Sequence, residues 1–362
     1  MHSHKISAAS LCVFGFEGLT APDWIKTLVS KHDLAGVILF KRNIESKAQL
    51  KELNLELQSF KKGLPLIISV DHEGGRVFRL PEPFTKIPTA REIGHFSPSP
   101  QPSPVEGEGG KKIHSPLEGE GQGEGINPYS IGKLMARELC EVGFNLNYAP
   151  VLDVDTNPIN PIIGDRAFSS DPRTVADCAL KMIRGLREGG IIPCGKHFPG
   201  HGDTSKDSHF ELPQVDQALK RLQTLELLPF AAAIQNKIEM LMTAHVMYPA
   251  LDSEWPATLS KKIIGDLLRK QMGYEGVLIS DDFNMKAIAD RWGISEASVR
   301  FLEVGGDIVL VCRYEEVCLE VLNRVQAWID LSVKNSQQGQ LSLQRIQKIQ
   351  KKIADFSQQF SG

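Results

Sequence analysis

Long apolar runs are scarce in this 362-residue chain. None approaches the roughly 20 residues needed to cross a bilayer, which excludes a helical membrane span. Charge of one sign is not in excess either. The chain has 41 Lys+Arg against 44 Asp+Glu, a formal net charge of −3. That argues against nucleic acid or an anionic membrane as partner, since either calls for a basic face. Cysteine is sparse, with six residues at positions 12, 140, 178, 194, 312 and 318 and no Cys-x-x-Cys pair. Most lie in apolar segments, which predicts buried free thiols in a reducing, cytoplasmic compartment and no structural zinc. The apolar stretch 6–16 lacks a small-residue cleavage site, so it reads as a first strand rather than a secretory signal.

What is present has the composition of a globular protein, with 41% hydrophobic and 23% charged residues. Eight short apolar runs recur at 8–16, 35–40, 64–70, 144–151, 191–195, 240–244, 277–279 and 308–312. They are continuous rather than alternating, as expected of strands buried on both faces. Amphipathic stretches separate them. One is 219–235, where Pro229 predicts a kink or a second helix start. Eight strand–helix units predict an α/β fold, a single (β/α)8 TIM-type barrel over 1–362; a doubly wound open sheet is the alternative. Residues 97–125 carry two near copies of Ser-Pro-x-Glu-Gly-Glu-Gly and too little apolar surface to offset the entropy of ordering. They read as a disordered insertion between the third and fourth strands, without a part in catalysis. The tail 315–362 reads as closing helices.

Chemistry in such a barrel gathers where strands end. The third run leads into Asp71-His-Glu-Gly-Gly-Arg-Val-Phe-Arg79, and the fourth into Asp153, Asp155 and Gly164-Asp-Arg166. Lys196-His197-Phe-Pro-Gly-His201-Gly-Asp203-Thr-Ser-Lys-Asp207-Ser-His209 follows the fifth, His245 the sixth, and Ser280-Asp281-Asp282-Phe-Asn284 the seventh. Carboxylates and guanidinium forks converging on one mouth suit a polyhydroxylated ligand. A carboxylate at a strand end, such as Asp281, is held rigidly enough to be a nucleophile. Asp207 and His209 are two apart, so they share a face in an extended segment. An imidazole beside a carboxylate is a general acid/base near neutral pH.

The 196–209 and 267–284 segments, with Asp71 to Arg79 and Asn160 to Arg166, resemble the motifs of family-3 glycoside hydrolases of the β-N-acetylglucosaminidase type. The four motifs are collinear over roughly 7–314. The resemblance implies Asp281 as nucleophile, His209 as acid/base and Asp207 as its dyad partner. It implies Asp71, Arg79, Arg166, Lys196 and His197 as ligands of an N-acetylglucosamine unit. It also implies retention of the β configuration by double displacement, with no cofactor and no metal. The substrate would be a small peptidoglycan fragment, N-acetylglucosamine on 1,6-anhydro-N-acetylmuramic acid with or without peptide, cleaved in the bacterial cytoplasm. His72 departs from the pattern, standing where Gln is common.

Each residue also has a plainer reading. Asp281 alone could cap a helix, and Asp282 reads as structural. Lys196 could be an ion-pair partner of a nearby Asp, and His245 could be packing at the mouth. Glu73 and Arg76 read as a pair supporting Asp71. A metal-dependent amidohydrolase needs a His-x-His at the end of the first strand; here His2-Ser-His4 precedes it. A non-catalytic sugar binder and a phosphorolytic variant are the remaining alternatives.

Overall fold

The computed structural model describes residues 6–95, 127–204 and 212–359. The low-complexity segment 97–125, Asp207, His209 and the His2–His4 pair lie outside the described residues. Eight strands carry the architecture: β1 (Cys12–Phe14), β2 (Gly36–Leu39), β3 (Ile67–Val70), β4 (Leu146–Asn147), β5 (Ile192–Phe198), β6 (Met240–Thr243), β7 (Val277–Ile279) and β8 (Val309–Val311). Each pairs in parallel with its sequence neighbours, and β1 pairs β8 through Val13↔Leu310. Between β7 and β8 a parallel bridge, Ile279↔Ile308, and the Ser280 N–H donating to Ile308 O at 3.0 Å complete the ring. The result is the (β/α)8 barrel expected.

Every residue of every strand is buried. One face of each fills the barrel and the other meets the helices, so apolar side chains predominate on both and alternation disappears; the polar exceptions Ser69, Asn147, Lys196, His197 and Thr243 are buried too. All eight predicted strands form, most within shorter bounds: the third run begins only at Ile67, and the fourth, 144–151, gives just Leu146–Asn147. The first run begins as a 3-10 turn (Ala8–Leu11) and extends only from Cys12. The fifth strand runs past Gly195 to Phe198, placing Lys196 and His197 on the strand itself rather than in the loop after it.

The helices are α1 (Asp23–His32), α2 (Lys47–Ser59), α3 (Ala90–His95), α4 (Pro128–Glu141), α5 (Pro172–Glu188), α6 (Leu219–Thr224), α7 (Leu228–Gln235), α8 (Lys286–Trp292), α9 (Ile294–Glu303), α10 (Glu315–Leu331) and α11 (Val333–Gln359). A π-type helix, Lys262–Gln271, lies between β6 and β7. Local sequence explains several starts. Asn127 and Asp171 accept from the Ser130 and Thr174 amides, with Pro128 and Pro172 at the first helical position, where no amide is needed. Pro229 starts a second helix rather than kinking one: the 219–235 stretch divides into α6 and α7. The tail forms α10 and α11, which pack on one another.

Candidate active site

A cavity of about 230 Å³ opens at the carboxyl ends of the strands. Asp71, Arg79, Arg166, Lys196, His197 and Asp281 all line it. The topology thus gathers on one wall residues that lie up to 210 positions apart in sequence (281 − 71 = 210).

Asp71 follows β3, and the chain then turns back through Gly74 at φ +101. A Cβ there would meet Pro88 O at 2.4 Å, so only glycine allows the turn. Asn147 on β4 grips the turn by accepting from the His72 amide at 3.0 Å and donating to its carbonyl at 2.9 Å. Lys196, on β5 and 2% exposed, donates to Asp71 Oδ1 at 2.5 Å and to Glu73 Oε1 at 2.6 Å. Arg166 donates to the same Glu73 in a fork, Nε to Oε2 and Nη2 to Oε1, both at 2.8 Å. Two carboxylates and two cations therefore form one connected group, with Lys196 and Glu73 buried and Asp71 and Arg166 partly exposed. Burial alone would raise the Glu73 carboxyl, but Arg166 and Lys196 outweigh it and hold it well below its usual range. Burial would lower the Lys196 ammonium; Asp71 and Glu73 raise it instead. This corrects the pairing expected from sequence. Glu73 does not pair with Arg76, which bonds Asp165 at 3.2 Å on the exposed rim. The plain reading of Lys196 as an ion-pair partner holds, and the pair still sits in the mouth.

His197 is set by Asp153. Its Nδ1 lies 2.7 Å from Asp153 Oδ2, while Asp153 Oδ1 accepts the backbone amides of His197 and His201 at 3.2 and 2.7 Å. One buried carboxylate thus fixes both the ring and the start of the following loop. Asp155 likewise holds Arg91. Further along, Gly202 presses on the β4 loop; a Cβ there would lie 1.8 Å from Val154 O. Asp203 accepts from Thr156, Gln217 and Arg221 at 2.8–2.9 Å. Thr204, at the end of this described stretch, is held by Asn160.

Asp281 leaves β7 facing the cavity, with Oδ1 accepting the Asp282 amide at 2.8 Å. Burial would raise its carboxyl, yet His245, His197, that amide and Lys196 together hold it below its usual value. It is therefore an anion at neutral pH. Asp282 has a different task. Its Oδ1 accepts the Asn284 and Cys312 amides at 3.0 and 3.1 Å, tying the β7 loop to β8. Burial, with Asp281 beside it, pushes its carboxyl up to about 6 against those donors. His245 is fully buried and packs as the plain reading had it: its ring lies between Thr258 Oγ1 (2.8 Å) and the Asp282 carbonyl (3.1 Å).

Sequence reasoning missed the apolar side of the cavity, where Phe40, Met242, Met285 and Cys312 face the charged wall. It also missed Arg42, which stacks on Phe40 at 4.4 Å and donates to the Cys312 carbonyl at 2.5 Å. Of these, Phe40, Met242 and Cys312 lie at or next to strand ends, and only that position could have pointed to them.

Residues 16–355 match the model described as the glycosyl hydrolase family 3 N terminal domain. A curated beta-hexosaminidase of Neisseria meningitidis serogroup C is 38% identical over 288 residues, covering 80% of this chain and 74% of its own length. One from Alkalilimnicola ehrlichii is 36% identical over 86% of this chain and 83% of its own length. Among solved structures, a family 3 beta-N-acetylglucosaminidase from a Paenibacillus species superposes with a TM-score of 0.87 at 33% identity. That match covers 98% of this chain but 63% of the Paenibacillus one. A Neisseria gonorrhoeae protein solved with N-trifluoroacetyl-D-glucosamine gives 0.73 at 29% identity, over 96% of this chain and 97% of its own. With the family model spanning nearly the whole barrel, and the carboxylate, cation and imidazole constellation at its mouth, the chain belongs to glycoside hydrolase family 3, on its β-N-acetylhexosaminidase side.

Proposed function

We propose that the protein removes a terminal β-linked N-acetylglucosamine from a small peptidoglycan fragment, N-acetylglucosamine on 1,6-anhydro-N-acetylmuramic acid with or without peptide, with retention of configuration. The observation that carries this is Asp281: an anionic carboxylate anchored on one oxygen and opening onto a cavity walled by Asp71, Lys196, Arg166, Arg79 and His197. Lys196 has three donor hydrogens, of which the protein uses two, and Asp71 Oδ2 has no partner among the described residues. One donor and one acceptor thus remain for neighbouring sugar hydroxyls.

In the first step Asp281 attacks the anomeric carbon, the glycosidic C–O bond breaks, and His209, paired with Asp207, gives its proton to the leaving oxygen. In the second, His209 takes a proton from water, whose oxygen displaces Asp281 from the same carbon. Most retaining glycosidases use two carboxyl groups; here an imidazole takes the second role. The muropeptide aglycone and a cytoplasmic setting rest on the motif resemblance, and the names of the relatives support the sugar.

Trapping with a fluorinated N-acetylglucosaminide, followed by peptide mapping, tests the reading. An adduct on Asp281 is the expected outcome; an adduct elsewhere, or an inverted sugar as first product, overturns it. Assay in phosphate buffer should release N-acetylglucosamine, whereas sugar 1-phosphate would reveal phosphorolysis.

A further inference from the structure

Glu73 lies at the centre of the charged wall, yet its carboxylate is fully used by protein donors. Both oxygens are taken by Arg166, and Oε1 is shared with Lys196. At 6% side-chain exposure it has little room to meet a sugar. Arg166 has no other carboxylate within ion-pair distance among the described residues; its remaining protein bond is from Nη1 to the Ile162 carbonyl at 3.2 Å. Without Glu73, that single bond to the Ile162 carbonyl would be all that orients the guanidinium plane among the described residues. Lys196 would keep Asp71 alone, and the acceptor that Asp71 offers to ligand would face an ammonium with no second anchor.

We propose that Glu73 is the positioning residue for sugar binding. It fixes the Arg166 guanidinium through Nε and Nη2 and gives the Lys196 ammonium a second anchor beside Asp71, so that both cations stand in set positions on the cavity wall. Two features keep Glu73 in place. Its own amide donates to Val77 O at 3.0 Å, and Gly74 and Gly75 turn the chain at positive φ directly after it. Glu73 therefore acts through two cations rather than on the substrate. This rests on the functional reading above.

A double-mutant cycle in kcat/KM tests it, with 4-nitrophenyl N-acetyl-β-D-glucosaminide as substrate and Glu73→Gln measured alone and on top of Arg166→Gln. Residues that act as one unit give non-additive losses, whereas general structural damage costs the same in both backgrounds. Glu73→Gln alone should lower kcat/KM at least tenfold, mostly through KM. Its cost on top of Arg166→Gln should be at least threefold smaller. A ratio below threefold, or a loss confined to kcat, overturns the proposal. If Glu73→Gln does not fold, Glu73→Asp, which keeps the charge but falls a methylene short, is judged by the same ratio. Failure of the wild-type protein to release nitrophenol would instead strike the functional reading, before any variant is compared.

Discussion

Neighbouring carboxylates at the end of β7 are separated by their surroundings. Asp281 has cationic and imidazole neighbours and is held ionised, while burial and Asp281 itself push Asp282 towards neutrality. Asp281→Ala should abolish turnover of natural and activated substrates alike, with the circular dichroism spectrum unchanged. His209→Ala should slow cleavage of the natural disaccharide by roughly 10²–10⁴. It should spare the first step for a nitrophenyl leaving group, seen as a preserved burst. Asp282 makes a prediction in stability. Its folded pKa, about 6, lies above its ordinary 3.8. Its contribution is therefore full below pH 4 and lost as pH rises through 6, by up to about 3 kcal/mol. Asp282→Asn keeps the oxygen that accepts the two amides, so it should raise the denaturation midpoint at pH 7.5 and leave it unchanged at pH 4.

The barrel wall depends on close helix contacts. α4 and α5 meet through glycine on both sides. A Cβ on Gly132 would lie 2.6 Å from Met182 O, and one on Gly185 would lie 2.2 Å from Tyr129 O. Backbone faces backbone, so neither helix can yield by turning a side chain. Gly185→Ala should cost about 1–3 kcal/mol, the usual range for overpacking, even though alanine favours helix over glycine by about 1 kcal/mol. Denaturant titration would measure the loss, and the specific activity of the folded fraction should stay within twofold. The site stands apart from these helices, on strand ends and the turns that follow. Gly202 is the corresponding contact there, where the β5 loop lies flat on the β4 loop.

Across the molecule, two buried imidazoles and the buried Glu73 make stability fall as pH falls, and together they outweigh the opposite contribution of Asp282. Burial, with Arg79 nearby, lowers the His72 imidazole to about 4; burial and His197 lower that of His201 to about 4. A depressed histidine contributes stability above its unfolded value near 6.5, and that stability disappears as pH falls through 4. Glu73, held low by its two cations, loses its contribution in the same direction. Thermal midpoints should therefore fall between pH 6.5 and 4. His72→Gln should flatten that fall, since both nitrogens of His72 are buried without a hydrogen-bond partner among the described residues and no charge is needed there. A fall just as steep in the variant would contradict this account.

Eight strands and their order were legible in the sequence, because continuous apolar runs suit a strand buried on both faces and little else. The sequence also contained the residues of the mouth, because chemistry at strand ends leaves dense polar motifs such as 71–79 and 196–209. It could not say which charge meets which. Arg76 is three positions from Glu73, yet the partner is Arg166, 93 positions away. Pairing is settled by which strand ends the closed ring brings together, and chain separation carries no information about that. The apolar wall was hidden for the same reason: Phe40, Met242 and Cys312 look like any other strand residues until closure turns them towards one cavity. Residue type determined the chemistry available, and the closure of the barrel decided its arrangement.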